Sequence, residues 1–438
     1  LILKMQKKKF YSCEDLQGSV YLGPNALRHC CQRFFVNGKM EGDVELFKVN
    51  KGDDISVKDI IKKKKDIIQK LNKKEKTPCD GCQKLQYKNW GHLAEIKLNK
   101  ISVEAHSKCN ARCSYCSEMF YGGLDPNYDI KKTLSKFKEK NFLHDNVSIT
   151  FGGGEPLLLK NFSEIFGYIL NSKSTEFDDI RVYSNSIIYN KLINKALDKK
   201  KIILITSTDC GTQKTFEKVR GVKKGFLSIF NNLKKYNTNK TGRIIIKYIL
   251  TMENHSEEEL VEFVNKIKKF KLENCNFEIS MDYKFENLDL KKFTSIVKLY
   301  NLLKNIGAKY INLDDHIVKR LDKFLSIKGN YENVKKTQIL KNLEKFFNRE
   351  IIVWGTGRYA KELKENSIFL KNAKISFFVD DVNKNKNLFI NKKVFSPRKI
   401  LESDKPILIA SSTYWKNIYE KIIKLGVNKD RIINTLIV

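Results

Sequence analysis

From Ile96 onward this 438-residue chain alternates short β-like runs with segments whose apolar residues recur at helical spacing, and no other feature limits its fold so strongly. The β-like runs are Ile101–Ala105, Val147–Phe151, Ile180–Tyr183, Ile202–Thr206, Arg243–Leu250 and Asn276–Ser280. Lys-rich amphipathic stretches such as Phe216–Tyr236 and Ser256–Phe270 separate them. Six βα units in succession predict a parallel sheet with right-handed crossovers. Six rather than eight predict an open or partial (β/α)6 barrel of the TIM type. Residues 285–348 are Lys-rich, poor in Gly and Pro, and expected to be mostly helical. The pattern restarts at Ile351. Ile351–Trp354, Ile375–Val379, Ile407–Ala410 and Ile432–Ile437 read as strands, with helices at Tyr359–Lys364 and Tyr414–Leu425. The expected α/β organisation is an N-terminal Cys-rich module (1–95), a partial barrel (96–345) and a small C-terminal α/β unit (346–438).

A formal net charge of +33 raises the question of nucleic acid. Only 11 of the 83 basic residues are Arg, the side chain whose planar fork suits phosphates and base edges. The Lys residues spread along the whole chain, and their tightest block, Lys62–Lys65, reads as a solvated helix face. Specific nucleic-acid binding is therefore not expected. No apolar run approaches the ~20 residues of a membrane helix, and Leu1 to Phe10 lacks the apolar stretch of a secretory signal. Ten Cys in such a chain point to metal or redox chemistry in a reducing cytoplasm rather than to disulfides.

Three of the ten fall within eight positions, Cys109-Asn-Ala-Arg-Cys113-Ser-Tyr-Cys116, just after the first strand of the alternating region. That places three thiolates on a loop at the end of the sheet where α/β sites form. They can wrap one face of a [4Fe–4S] cubane and leave one iron without a protein ligand. An open metal position implies catalysis; a zinc knuckle short of one ligand is the competing reading. The open iron can chelate the amino and carboxylate groups of S-adenosylmethionine (SAM). An electron from the cluster can then break a sulfur–carbon bond of SAM.

CxxxCxxC after the first strand, with Tyr115 before the third Cys, resembles the signature of the radical SAM superfamily, and the likeness continues for about 180 residues. Gly153-Gly154-Glu155-Pro156 follows the second strand, where the superfamily has its GGEP motif. The resemblance implies that this turn receives the SAM ammonium, since Gly lets the backbone approach closely. It implies ribose contacts from Ser184 and Asn185, and further cofactor contacts from Ser207, Asp209, Arg220 (with Gly221) and Lys247. It also implies an electron donor of the flavodoxin or ferredoxin type.

Five more Cys lie in the first 82 residues: Cys13, Cys30, Cys31, Cys79 and Cys82. Four of them could close a second site, either a [4Fe–4S] cluster or structural zinc. The layout is similar to the auxiliary-cluster modules called SPASM or twitch, except that those usually follow the barrel. It implies Cys13, Cys31, Cys79 and Cys82 as ligands, with Cys30 as the alternative to Cys31 and His29 as a substitute. Cys210 and Cys275 read as small core residues.

In the C-terminal unit, Gly355-Thr-Gly357-Arg-Tyr-Ala360 lies between a strand and a helix, and Asp380 ends the next strand. This spacing follows the logic of a Rossmann nucleotide site, with phosphate at the helix N-terminus and an acid on the ribose. The competing reading is a tight turn that binds nothing. The unit resembles small Rossmann-like domains that accompany sugar-modifying enzymes.

The expected function is that of a radical SAM enzyme. It would form a 5′-deoxyadenosyl radical and take hydrogen from a peptide, a protein, or a sugar- or nucleotide-linked substrate. The alternatives are a zinc-binding, nucleic-acid-associated basic protein and a scaffold that binds SAM without turnover.

Overall fold

The computed structural model describes residues 9–82, 84–91, 96–116, 123–172, 177–308, 310–314, 317, 320, 324, 349–357, 360–361, 364, 373–381, 388–411 and 415–433. The chain packs as two compact units, Leu1–Thr206 with Arg220–Asn232, and Ser207–Val219 with Leu233–Val438.

The first unit opens with β1 (Lys9–Ser12), α1 (Glu14–Gly18), β2 (Ser19–Leu22), β3 (Ala26–Arg28), β4 (Arg33–Val36), β5 (Lys39–Gly42), β6 (Glu45–Lys48), α2 (Val57–Asn72) and β7 (Gln86–Asn89). β8 (Leu98–Val103), α3 (Ile130–Glu139), β9 (Leu143–Phe151), α4 (Phe162–Asn171), β10 (Phe177–Tyr183), α5 (Lys191–Asp198) and β11 (Ile202–Ser207) follow. Its main strands run in the order β11-β10-β9-β8-β2-β3-β6. β8 to β11 are parallel, β2 joins β8 in parallel, and β3 and β6 continue antiparallel. The Cys-rich N-terminal segment thus supplies three strands to the same sheet rather than standing apart from it.

Register explains the two faces of this sheet. Ile101 pairs with Ile149, Ile149 with Ile180 and Ile180 with Ile202; Val103, Phe151, Val182 and Leu204 form the next row. Because side chains alternate along a strand, all of these point one way. α4 covers this face, with Phe162 and Phe166 stacked at 5.0 Å and both edge-on to Phe151. The opposite face reads Lys100, Ser148 and Asp179 in one row and Ser102, Thr150 and Arg181 in the next. A parallel sheet covered on both faces would be apolar throughout. Polar rows on one face are what a sheet needs in order to present that face to a ligand.

The second unit holds β12 (Ile244–Leu250), α8 (Glu257–Lys269), β13 (Asn276–Met281), α9 (Leu290–Asn305) and β14 (Ile311–Leu313), with the three strands parallel in that order. α6 (Gln213–Arg220) and α7 (Phe226–Tyr236) belong in part to each unit. The amphipathic stretch Phe216–Tyr236 falls on these two helices, separated at Gly221, whose φ of +64° no α-helix accommodates. β14 interrupts the region expected to be mostly helical, while residues 325–348 of that region lie outside the described residues.

The C-terminal strands are β15 (Glu350–Trp354), β16 (Lys374–Val379), β17 (Leu388–Phe389), β18 (Lys392–Phe395), β19 (Ile407–Ile409) and β20 (Ile432–Ile433), with α10 (Trp415–Lys424) before β20. Their order is β17-β18-β16-β15-β19-β20, parallel except for β17. Ile352, Trp354, Val379, Ile407, Ile409 and Ile422 form the core. The β17–β18 hairpin was not foreseen. Of the helix expected at Tyr359–Lys364, only residues 360, 361 and 364 are described, and Tyr414 and residues 434–437 also lie outside the described set. Among the described residues no helix is long and apolar enough to cross a membrane.

Neighbouring positions on α4 should respond in opposite directions. Phe166 is fully buried in the stacked trio, so Phe166→Ala should cost about 3–5 kcal/mol. A Cβ at Gly167 would meet nothing within 4 Å, so Gly167→Ala should add roughly 0.5–1 kcal/mol through helix propensity. Urea unfolding measures both, and a large destabilisation by Gly167→Ala would contradict the orientation of this helix.

Candidate active site

The chain leaves β8 through Glu104 and His106 and turns at Cys109, Cys113 and Cys116. Cys113 is buried, and Cys109 and Cys116 are half-buried. Cys116 N–H donates to Cys113 O at 2.9 Å and closes a turn. Two donors face the Cys109 sulfur: Ala111 N–H at 3.4 Å and Asn185 Nδ2 at 3.9 Å. Burial pushes the Cys109 thiol above its ordinary value; Ala111 N–H pulls it back, Cys113 and Glu155 add to the rise, and Arg220 opposes it. A bound metal would take the place of the proton and reverse that balance.

The glycine turn after β9 packs backbone to backbone against the start of this loop. Gly154 N–H donates to His106 O at 3.1 Å, and Glu155 N–H to Lys108 O at 2.8 Å. Gly153 has a φ of +91°, and a Cβ there would lie 2.9 Å from His106 O. A Cβ on Gly154 would overlap Lys108 O. Only two glycines permit this approach.

Glu155 is buried, and both carboxylate oxygens are engaged. Oε1 accepts from Ser184 Oγ at 2.8 Å and Leu157 N at 3.3 Å; Oε2 accepts from Asn185 N at 2.7 Å. Burial pushes its pKa up, while these hydrogen bonds and the Arg220 charge draw it down. Its role in this structure is to fix Ser184 and Asn185 at the end of β10. Asn185 in turn donates from Nδ2 to Asn110 Oδ1 at 2.6 Å, inside the Cys loop.

Arg220 and Gly221 close the loop from another side. Arg112 N–H donates to Arg220 O at 2.9 Å, and the Arg220 guanidinium bonds the Tyr115 hydroxyl. A Cβ on Gly221 would sit 2.6 Å from Arg112 O. The first unit therefore brings together Cys109, Cys113, Tyr115, Cys116, Gly153, Gly154, Glu155, Ser184, Asn185 and Arg220.

Asp209 and Lys247 have partners within the second unit. Asp209 is buried at a φ of +58° and accepts from Ile249 N at 2.8 Å. Lys247 Nζ lies 2.7 Å from Glu278 and 3.2 Å from Asp314. Ser207 ends β11.

Two groups escaped the sequence analysis. Glu259 is buried and accepts from the backbone of Gly211 and Thr212 and the hydroxyls of Thr212 and Thr215. The Ser256-x-x-Glu259 spacing marks a helix start but not this reach. His106 is buried against the Cys loop, with Nδ1 accepting from Lys108 N at 3.2 Å and burial lowering its pKa. Only its place beside the motif could have signalled it.

In the N-terminal segment Cys13, Cys30, Cys79 and Cys82 line one cavity with His29. The set expected on resemblance included Cys31, with Cys30 as its alternative. Cys30 lines the cavity, whereas Cys31 turns its sulfur to the Tyr21 hydroxyl at 3.3 Å, because adjacent residues of a non-helical segment project to opposite sides. The solvated face expected at Lys62–Lys65 is also corrected at one position. Lys64 is fully buried, since it shares the inner stripe of α2 with Ile60 and Ile68. Among the described residues no three of His, Cys, Asp or Glu converge closely enough to hold a single metal ion. A cubane holds its thiolates further apart than one ion does, so that spacing is compatible with either Cys group receiving a cluster.

In the C-terminal unit Gly355 and Gly357 flank Thr356, whose N–H and hydroxyl both donate to Asp380 Oδ2 at 2.8 and 2.7 Å. Asp380 is buried and ties the glycine turn to the end of β16.

Residues 103–280 match the family model described as the radical SAM superfamily, and residues 347–433 match the model described as C2185-like, N-terminal. A probable GTP 3′,8-cyclase of Methanococcus aeolicus is 28% identical over 131 residues, which are 30% of this chain and 43% of that protein. The sporulation killing factor maturation protein SkfB of Bacillus subtilis is 23% identical over 179 residues, 40% of this chain and 41% of that one. The chain spans less than half the length of each. Among solved structures, Streptococcus suis SuiB bound to precursor peptide SuiA aligns over 66% of this chain and 62% of its own, at 13% identity and a TM-score of 0.38. The matched residues 103–280 contain the Cys loop, the glycine turn and Arg220, and they form a radical SAM domain.

Proposed function

We propose that this chain is a radical SAM enzyme whose reactive centre is the loop of Cys109, Cys113 and Cys116. The observation that carries the reading is the backbone contact of Gly153 and Gly154 with His106 to Lys108, which holds the three-thiol loop against the end of β9. The residues suit a cluster: N–H donors already face the Cys109 sulfur, and hydrogen bonds of this kind stabilise thiolate ligands. When bound, the cluster and SAM supply reductive cleavage to a 5′-deoxyadenosyl radical.

The protein's own part is positioning and exclusion of water. Three Cys leave one coordination position to the cofactor. The glycine turn would bring backbone to the cofactor's amino end, and Ser184 and Asn185, fixed by Glu155, would meet its ribose. Arg220 holds Tyr115 and the loop closed. The polar rows Lys100/Ser148/Asp179 and Ser102/Thr150/Arg181 offer a charged face to the substrate, a peptide, a protein, or a sugar- or nucleotide-linked molecule. The name of the cyclase relative favours the nucleotide class and that of SkfB a maturation substrate. The remaining parts of this reading are a partial (β/α)6 barrel over 96–345 between a 1–95 module and a Rossmann-like 346–438 unit, a flavodoxin- or ferredoxin-type reductant, a second iron–sulfur cluster on the N-terminal cysteines, and a cytoplasmic setting.

Anaerobic reconstitution followed by dithionite and SAM should yield 5′-deoxyadenosine, detected by liquid chromatography. Cys113→Ala should abolish it. A filled three-Cys cluster that forms no nucleoside product would refute the proposal. Gly154→Ala should force the Cys109 loop to shift, destabilise the chain by about 1–3 kcal/mol and lower iron retention. Thermal denaturation and iron analysis check both effects, and unchanged values would mean the glycine contact does not hold the loop.

A further inference from the structure

The N-terminal cavity is built from three separate segments. Cys13 precedes α1 and its sulfur accepts from Leu16 N–H at 3.3 Å. Cys30 follows β3, is buried beside Val44 and Cys79, and its sulfur accepts from the backbone N–H of Val44 and of Gln32. Cys79 and Cys82 close a tight turn, with Cys82 N–H donating to Cys79 O at 3.0 Å. Asp80 pins this turn, accepting from Thr77 N–H at 3.1 Å and from Thr77 Oγ1 at 2.6 Å. N–H groups aimed at sulfur favour thiolate over thiol.

Two buried polar side chains lie near these sulfurs: His29, which lines the cavity, and Lys64 behind it. Lys64 reaches in from α2, and its Nζ donates to the carbonyls of Asp15, Leu16 and Ser19 at 3.2, 3.1 and 2.6 Å. Carbonyls alone do not neutralise a buried ammonium, and Lys is almost never fully buried without an anion nearby. Cys13 and Cys30 both lie within its electrostatic reach, as does Asp15. His29 is 1% exposed, lines the same cavity, and has Nε2 4.0 Å from Cys79 Sγ. Four sulfurs on one cavity, two of them facing backbone N–H donors and with a buried cation nearby, are surroundings that favour a negatively charged four-thiolate metal centre.

We propose that Cys13, Cys30, Cys79 and Cys82 ligate a second metal centre, closed by four protein thiolates, with Lys64 as its built-in counter-charge and Cys31 outside it. This deepens the reading above by naming the ligands of the second centre, but it does not depend on SAM chemistry at the first. Their sulfurs are too far apart for a single ion, so the four thiolates fit an iron–sulfur cubane. Four thiolates leave no coordination position open, so this centre would hold three segments of the N-terminal module together and would not bind SAM.

The test removes the first centre. The full chain carrying Cys109→Ala, Cys113→Ala and Cys116→Ala is purified anaerobically, once with zinc and once with iron and sulfide, and its metal is counted. Retention of about four Fe with sulfide supports the proposal, and retention of about one Zn in place of iron contradicts it. Adding Cys30→Ser should lower retention at least about tenfold, whereas adding Cys31→Ser should leave it unchanged. Because Cys30→Ser could unfold the module, alkylation of the metal-loaded chain gives a second measure. Cys82 should become reactive only after metal is chelated, while Cys31 reacts equally before and after. Loss of all metal from the triple variant, equal loss with Cys31→Ser, or protection of Cys31 by metal would overturn the proposal.

Discussion

Two backbone hydrogen bonds, Gly154 N–H to His106 O and Glu155 N–H to Lys108 O, join the end of β9 to the chain leaving β8, and the geometry around the three clustered cysteines depends on them. They form only because neither glycine carries a Cβ, which at Gly154 would overlap Lys108 O. Beyond the turn, the Glu155 carboxylate reaches Ser184 and Asn185. Asn185 then reaches back to Asn110. Contacts between consecutive strand ends thus position a loop that has little regular structure of its own. Isolated, a loop with three cysteines would sample many arrangements; anchored at both strand ends, it has few.

The buried groups follow one rule in both units. Charges withdrawn from water are tied to backbone or to opposite charge. Glu155 accepts from Leu157 and Asn185 N–H, Glu259 from Gly211 and Thr212 N–H, Asp209 from Ile249 N–H, and Lys64 donates to three carbonyls. Each ties together segments distant in sequence. Lys247 is the partly exposed counterpart, held by Glu278 of the adjacent β13 and by Asp314 just after β14.

Much of this was legible from residue order. Ile149, Ile180 and Ile202 lie in β-branched runs between helical segments, and periodicity alone finds such strands. The Cys, Gly and Glu of the central motifs were readable because their spacing is local and their chemistry distinctive. What escaped depended on distant partners. β2 is four residues long and pairs with β8 some eighty positions away, which no local pattern announces. Cys30 and Cys31 are chemically identical, and only the backbone decides which one turns inward. Lys64 looks like its neighbours until the helix phase sets it in line with Ile60 and Ile68. Asp380 has the spacing of a ribose contact, and that spacing does not announce its bonds to Thr356.

The parallel seam between β2 and β8 bears on how the chain can be divided. A strand at the rim of a sheet exposes unpaired N–H and C=O groups that invite pairing with other molecules. β2, β3 and β6 occupy the flank of β8 that would otherwise be such a rim. A fragment trimmed to begin at the cysteine motif would strip that flank and leave a sticky edge at β8. β2, β3 and β6 are therefore part of the scaffold, and the sheet is wider than the stretch that carries the motifs.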